Sequence, residues 1–289
     1  MAFSIDIIIV QVYNFAKMNR DIIRRSIMSI FSKNISILVD IGGSGARIAP
    51  YSNGQIGTIR KCSINSRETL FAEIRRTIGD NKVGNIAFSV AGFVNADKGV
   101  VLQSSNLPYL EGNLAEKAKI TFNANKVRLV NDGEAHARSL FFQNNIRFGA
   151  IHLALGTAVA FGVINEKRKI VQTASGENWD IGRMVMNTRS NYKEVWQLLG
   201  TEGLKELERD LPDDCYKHYG RRLGTLLSQL AVIFRPYTIG LSGGIVNAHA
   251  NDLNIGIMDT FREPAFSQNT EIRLIKEPDT VMLGLTTLL

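Results

Sequence analysis

The stretch LVDIGGSGARIA at residues 38–49 has a counterpart of the same design in LALGTAVAFGVI at residues 153–164. Each stretch consists of an apolar run, a turn of Gly with Ser or Thr, and a second apolar run. Because Gly allows close approach of the backbone and positive φ without a Cβ clash, each turn can direct backbone N–H groups and a hydroxyl at a phosphate. Two such turns on opposite lobes predict a site that holds one nucleotide.

The length and composition of the chain predict a protein with two lobes. Its 289 residues are 45% hydrophobic, which is enough for one large core or two modest cores. The formal net charge is +7, but Lys and Arg are spread along the chain and form only short clusters such as Arg24-Arg25 and Arg221-Arg222. Scattered charges of this kind are typical of solvated helix faces, so we expect no nucleic-acid partner.

The cysteines of the chain do not form a pattern of metal ligands. Cys62 and Cys215 are its two cysteines, and neither lies in a CxxC motif or in a Cys/His cluster with ligand spacing. Such a low cysteine content is typical of a reducing compartment. We therefore expect a cytoplasmic protein.

Residues 1–34 form an amino-terminal extension that does not look like part of the core. Its apolar run at residues 7–10 has Asp6 beside it and no basic segment before it, which differs from a signal peptide. The run is also far too short to span a bilayer. We expect no membrane partner, and we expect the extension to be dispensable for folding and nucleotide binding.

From residue 35 onward, apolar runs and helical periods alternate in a way that predicts an α/β protein. The predicted strands lie at residues 35–40, 46–51, 55–64, 86–90, 127–130, 150–155, 159–165, 169–173, 237–241 and 272–275. One predicted helix starts at Asn65 with Glu68 completing a capping box, and others cover residues 112–122, 134–142, 216–234 and 280–289. A strand-strand-strand-helix-strand unit that occurs twice predicts a duplicated architecture with a cleft between the halves.

Asn131 and Asp132 directly follow the strand predicted at residues 127–130. The carboxyl ends of strands in an open sheet are where such folds place their chemistry, so these two polar residues are candidates for a site. Taken alone, Asp132 is also typical of a helix N-cap, and the Gly42-Gly43 turn is also typical of a simple hairpin.

Five motifs, in order along the chain, resemble those of the ROK sugar kinases and their glucokinase relatives. They are residues 40–47 (DIGGSGAR), 105–109 (SNLPY), 131–135 (NDGEA), 155–159 (LGTAV) and 241–245 (LSGGI). Each motif is weak alone, but five in the family's order are specific. The resemblance implies an α/β protein with the duplicated ribonuclease-H-like fold of the actin-like ATPases. It places the first lobe at residues 35–135, with a helix at about 278–289 returning to it, and the second at 136–277.

The resemblance also implies an ATP-dependent kinase for a hydroxyl of a hexose or N-acetylhexosamine, in a chain that forms a homodimer. The attacking hydroxyl must lose its proton, and Asp132 can accept it as general base. The resemblance assigns the sugar contacts to Asn106 and Asn131. It assigns the Mg²⁺ contact, made through water, to Asp40. It assigns the ATP contacts to Asp40, Gly42, Gly43, Ser44, Gly156, Thr157, Gly243 and Gly244.

The family's Glu-Ile-Gly-His segment and the Cys-rich zinc loop that follows it have no full counterpart in this chain. The nearest match is Asp180-Ile-Gly-Arg183, and no cysteine follows it before Cys215, so we expect no zinc. Either Asp180 or Glu177 is then the carboxylate that contacts the sugar. Arg183 either pairs with that carboxylate or binds an acidic or acetylated substituent, and we favour the pairing because Arg is rarely buried without a partner.

The second phosphate turn has larger residues than the family usually has there, namely Ala158, Ala160 and Phe161. This crowding supports a second hypothesis, a catalytically weak or inactive relative that senses a sugar or a nucleotide. A DNA-binding repressor is not expected, because a helix-turn-helix needs more than the single helix that residues 1–34 allow.

Overall fold

A computed structural model describes residues 34–187, 192–264 and 269–289 of the chain. The predicted amino-terminal extension at residues 1–34 lies outside the described residues except for its last residue. The strands, in chain order, are β1 (Asn34–Gly42), β2 (Gly45–Ser52), β3 (Gln55–Ile56), β4 (Arg60–Cys62), β5 (Lys82–Val90), β6 (Phe93–Asn95), β7 (Val100–Gln103), β8 (Lys126–Asn131), β9 (Ala150–Leu155), β10 (Val159–Ile164), β11 (Val185–Asn187), β12 (Tyr192–Glu194), β13 (Thr238–Ser242) and β14 (Glu271–Leu274).

The helices follow the strands in an alternation typical of α/β proteins. The α-helices are α1 (Arg67–Ile78), α2 (Leu114–Phe122), α3 (Asp132–Arg138), α4 (Val195–Leu199), α5 (Thr201–Asp210), α6 (Cys215–Phe234), α7 (Gly244–Thr260) and α8 (Thr280–Thr286). Short 3₁₀ helices lie at Pro108–Leu110, Ser139–Phe142 and Ile181–Arg183. No helix within the described ranges is long and apolar enough to cross a membrane.

Two sheets are built on the same plan, and each contains one of the two repeated stretches. The first sheet has the order β3-β2-β1-β5-β8, with β4 paired to β2. The second sheet has the order β10-β9-β13-β14. In both, an antiparallel hairpin carries the repeated stretch, and parallel strands continue the sheet from its first strand. The predicted duplicated α/β fold is therefore confirmed.

Separate apolar cores support the two sheets. The first core joins β1 and β5 to α1 through Leu70, Ile74 and Ile78, which follow one another at helical spacing. The second core joins β9 and β13 to α6 and α7. Helix α8 packs with Leu38 and other residues of the first sheet, although it follows the second sheet in sequence.

Local contacts explain where elements differ from the sequence predictions. The strand predicted at 55–64 is divided into β3 and β4. Gly57 N donates to Pro50 O, but Pro50 has no N–H to return a bond, and β4 pairs with β2 in a register shifted by one residue. The segment predicted as a strand at 169–173 pairs only through Ile170, since the chain then turns over residues 173–177. The capping box of α1 consists of Ser66 and Thr69, so the prediction of Asn65 with Glu68 was wrong by one residue.

Besides β11, β12, α4 and α5, two elements had no counterpart among the predicted strands and helices. One is the hairpin of β6 and β7, whose strands are too short to show a clear period. The other is α7, in which His249 leaves helical geometry (φ −131°, ψ 33°) and interrupts the apolar spacing. The helix predicted at 134–142 begins earlier, at Asp132, and becomes a 3₁₀ helix at Ser139.

Candidate active site

A cavity of about 510 Å³ lies between the two sheets. Most of the side chains and glycines that the sequence singled out line this cavity. They are Gly42, Gly43, Ser44, Asn106, Asn131, Asp132, Gly156, Thr157, Asp180, Arg183, Gly243 and Gly244. Asp40 and Glu177 are not among the lining residues. The arrangement brings both repeated turns to one space, which is what a single bound nucleotide requires.

Asp132 is held at the end of β8 by the hydrogen bonds of its neighbour. Asn131 caps α3 by accepting from the backbone N–H of Gly133 at 2.8 Å, and its Nδ2 donates to Gly92 O at 2.9 Å. Asp132 Oδ1 also accepts from Gly133 N at 2.9 Å. Gly133 is required here because a Cβ would lie 2.2 Å from Phe161 O, so α3 packs directly on the β10 backbone.

The environment of Asp132 favours the protonated carboxyl. Burial against α3 and the sheet is the main cause, and the neighbouring Asp40 carboxylate adds to it; together they raise the pKa of Asp132 to about 7. Hydrogen bonds from Gly133 and Asn131 oppose the rise but do not cancel it. A carboxyl with a pKa near neutrality, facing a cavity, is suited to accept and release a proton.

Asp40 is engaged by protein groups on both carboxylate oxygens. Arg47 donates from Nε and Nη2 to Asp40 Oδ2 at 2.9 and 2.7 Å, and Ser89 Oγ donates to Oδ1 at 2.9 Å. Arg47 also reaches Asp279 through Nη1 at 3.2 Å and lines the cavity. Arg47 was not among the site residues predicted from the sequence, although the hairpin register, which pairs Asp40 with Arg47, was a usable signal.

The glycine turns leave open space toward the cavity. A Cβ added to Gly42, Gly156 or Gly244 would meet nothing within 4 Å. The backbone at these positions is therefore accessible to a phosphate or a nucleoside, and these residues fit such a group. Gly243 has a different role, because its backbone has a φ of +111° and a Cβ at this position would lie only 2.2 Å from Leu155 O. Both features demand glycine.

Asp180 and Arg183 line the cavity from the two ends of the short 3₁₀ helix Ile181–Arg183, with Asp180 directly before it. Arg183 Nε is 3.9 Å from Asp180 Oδ2, and its Nη1 is 3.5 Å from Glu194 Oε2. Burial raises the pKa of Asp180, and the Arg183 guanidinium partly opposes this. Glu194 was not found from the sequence, because it is close to Arg183 only through the β11–β12 hairpin. Glu177 instead accepts from Ser175 Oγ at 3.3 Å.

Polar side chains that the sequence did not suggest complete the cavity wall. Asn178 Oδ1 accepts from Val94 N at 3.0 Å, which joins the two sides of the cavity. His136 forms a 2.7 Å hydrogen bond with Thr280 Oγ1, and burial lowers the pKa of His136 to about 3, so it is neutral. These pairs join residues 84 and 144 positions apart, which no local pattern reveals.

Comparison with solved structures identifies the fold. No protein-family model and no curated protein matches the sequence. A ROK family glucokinase from Streptomyces griseus, in complex with glucose and AMPPNP, superposes with a TM-score of 0.74 at 16% identity, over 88% of this chain and 99% of that one. This chain has the ROK fold. The fold is therefore the one that the five motifs predicted.

Other proteins with the ROK fold differ in what they do. A ROK family protein from Streptococcus pneumoniae, in complex with sucrose, matches with a TM-score of 0.70 at 19% identity, over 87% of this chain and 96% of that one. A ROK family transcriptional regulator, described as a homologue of the E. coli MLC protein, matches with a TM-score of 0.69 at 17% identity, over 88% of this chain and 77% of that one. The ROK fold therefore serves both enzymes and regulators, and the site must decide between them.

Proposed function

We propose that this protein is an ATP-dependent carbohydrate kinase that phosphorylates a hydroxyl of a hexose or N-acetylhexosamine. The observation that carries the proposal is Asp132, whose carboxyl has a pKa raised to about 7 and faces the same cavity as both glycine turns. A proton acceptor and a phosphate cradle are the two things that phosphoryl transfer to an alcohol needs from the protein. The sugar kinases among the structural neighbours support the same reaction.

The reaction follows from these positions. The sugar hydroxyl forms a bond to the γ-phosphorus, the bond to the β-phosphate oxygen breaks, and ADP leaves. Asp132 Oδ accepts the hydroxyl proton as that bond forms. Asn131 fixes Asp132 through the α3 cap, and the second N–H of its Nδ2 is available to a sugar hydroxyl. Asn106 and Asp180 contact the remaining hydroxyls.

The triphosphate is assigned to the two turns, Gly42 to Ser44 and Gly156 to Thr157, and the nucleoside to Gly243 and Gly244. Mg²⁺, when bound with ATP, neutralises phosphate charge. Within the described residues no group of three or more His, Cys, Asp or Glu side chains could hold a metal ion. The cation is therefore expected to bind mainly to phosphates and water, with Asp40 contacting its water shell.

The proposal also covers the boundaries of the two lobes, the cellular location and the partners of the protein. The lobes are residues 35–135 with about 278–289, and residues 136–277, because α8 packs on the first sheet. Both cysteines have free thiols, which supports a reducing, cytoplasmic setting. We also propose that the protein forms a homodimer and that it binds no zinc, no nucleic acid and no membrane.

A coupled assay tests the kinase proposal. The full chain with ATP, Mg²⁺ and a panel of hexoses and N-acetylhexosamines should form ADP with at least one sugar and phosphorylate that sugar in equal amount. ADP formation that no sugar increases would contradict the proposal.

The alternative is a sensor with the same fold and no turnover. Two observations support the sensor. Arg47 donates two hydrogen bonds to one oxygen of Asp40, the residue assigned to Mg²⁺, and one structural neighbour is a transcriptional regulator. Saturable sugar and nucleotide binding without product, over the whole panel, would support the sensor and exclude the kinase.

The pKa of Asp132 predicts the pH dependence of turnover. A general base acts only when ionised, so kcat/KM should fall about tenfold per pH unit below about pH 7 and level off above it. In Arg47→Gln the cation that offsets Asp40 is lost, so the pKa of Asp132 should rise and the acid limb should move to higher pH. A profile that is flat between pH 5 and 8, measured with a non-titrating coupling system, would exclude Asp132 as the base.

The contacts of Arg183 predict a uniform effect on sugars. Its guanidinium lies between Asp180 and Glu194, and an imidazole cannot span both carboxylates. Arg183→His should therefore lower kcat/KM by a similar factor, about three- to tenfold, for every accepted sugar. Glu194→Gln removes the charge of the second carboxylate partner of Arg183, so it should also lower kcat/KM for every accepted sugar. If the preferred sugar alone lost activity, Arg183 would be reading a substituent instead.

A further inference from the structure

A second cavity, of about 470 Å³, lies apart from the active-site cavity. Its wall is formed by the tip of the β6–β7 hairpin, by β8, by α3 and by the residues after β10. It shares no lining residue with the active-site cavity. Because β8 belongs to the first sheet and residues 168–172 follow the last strand of the second sheet's hairpin, this cavity lies where the two halves of the chain meet.

The charged lining of this cavity is mainly basic. Four cations and two carboxylates face it, namely Arg128, Arg138, Arg168, Lys169, Asp97 and Glu134. Glu134 accepts from Arg138 Nη2 and Nε at 2.7 and 3.0 Å, so this pair neutralises itself. The other charged residues of the lining are one carboxylate, Asp97, and three cations, Arg128, Arg168 and Lys169.

One of these three cations is held in place by its neighbours. The Arg168 guanidinium lies 4.5 Å from the centre of the Phe148 ring and 5.4 Å from that of Phe141. Its Nη2 also donates to Phe141 O at 3.4 Å. These contacts hold the guanidinium in place without cancelling its charge, because none of them is with an anion.

The other two cations have no partner for their side chains within the described part of the chain. Arg128 lies on β8 and Lys169 follows β10, and neither side chain has a hydrogen bond or ion pair with a described residue. Like charges gathered in a concave space raise the local potential and attract an anion. A guanidinium and an ammonium that line one cavity are suited to phosphate oxygens.

We propose that this second cavity is a binding site for a phosphate-class anion, held between Arg128 and Lys169 with Arg168 beside them. The ligand is inorganic phosphate or the phosphoryl group of a small phosphorylated metabolite. Because Arg128 lies on the first sheet and Lys169 lies on the segment that follows β10 of the second sheet, the bound anion joins these two parts of the chain at a distance from the site of chemistry.

Titration calorimetry of the full chain with inorganic phosphate at low ionic strength tests this site. The double variant Arg128→Gln/Lys169→Gln should bind phosphate at least about tenfold more weakly than the unmodified protein. The matched control is Lys98→Gln/Lys167→Gln, which removes the same charge from exposed residues that do not line the cavity. This control should bind phosphate within about twofold of the unmodified protein.

Amide shifts locate the anion independently of affinity. Phosphate should shift the NMR signals of Ala96 and Ile170, which line the second cavity. Repeating the titration with a hexose phosphate shows whether free phosphate or a phosphorylated metabolite binds more tightly. Equal weakening in both double variants, shifts confined to the active-site cavity, or no saturable binding would each overturn the proposal. None of these readouts requires turnover, so the kinase proposal is tested separately.

Discussion

Asp132→Asn is expected to reduce kcat by about 10²- to 10⁴-fold, the usual contribution of a general base. Asparagine keeps the size of the side chain and the Oδ1 acceptor for Gly133 N, but it cannot take the hydroxyl proton. Sugar affinity, measured by equilibrium binding, should therefore stay within about tenfold of the unmodified value. Turnover close to that of the unmodified enzyme would exclude Asp132 as the base.

Thermal stability separates this loss of activity from misfolding. The pKa of Asp132 is about 7 in the folded protein against an ordinary value of 3.8, so the folded state holds the proton more tightly and stability falls as pH rises from about 4 to about 7. Asparagine does not ionise, so Asp132→Asn removes this loss of stability at higher pH. The melting temperature should rise in Asp132→Asn, and by more at pH 8 than at pH 5. Asp80→Asn, at an exposed turn, is the matched control and should change neither activity nor stability.

Gly243→Ala is expected to destabilise the protein by roughly 2–5 kcal/mol. The backbone at Gly243 has a φ of +111°, which L side chains rarely adopt, and the new Cβ would lie 2.2 Å from Leu155 O. Neither strain can be relieved by a side-chain movement, because Leu155 O belongs to the backbone of β9. Urea unfolding followed by circular dichroism measures the loss, and unchanged stability would show that this turn is differently arranged.

Gly244→Ala is the matched control at the next residue. A Cβ there meets nothing within 4 Å, and the residue is the first of α7, where alanine is tolerated. Its stability should therefore stay within about 1 kcal/mol of the unmodified value. If the nucleoside occupies this open space, the methyl group should raise KM for ATP by roughly tenfold, since crowding costs of about 1–3 kcal/mol are usual. An unchanged KM for ATP would place the nucleoside elsewhere.

Several features of the fold follow from patterns within a few residues of one another. The repeated apolar run, glycine turn and apolar run predicted two equivalent hairpins, and β1–β2 and β9–β10 are those hairpins. Strand ends are also local, so Asn131 and Asp132 could be placed at a carboxyl edge before the sheets were known. The caps and short strands were less predictable, because Ser66 and Asn65 are both good cap residues and only the backbone geometry selects Ser66.

The sequence by itself determined most of the strands and helices, because apolar periodicity and glycine turns act over short distances. Only the tertiary structure decided which side chains meet. Arg47 reaches Asp279 across 232 residues, and Asn178 reaches Val94 across 84. Such pairs depend on how two sheets pack, and packing joins residues whose separation along the chain leaves no periodic signal. The raised pKa of Asp132 has the same origin, because burial and the Asp40 charge exist only after the chain has folded.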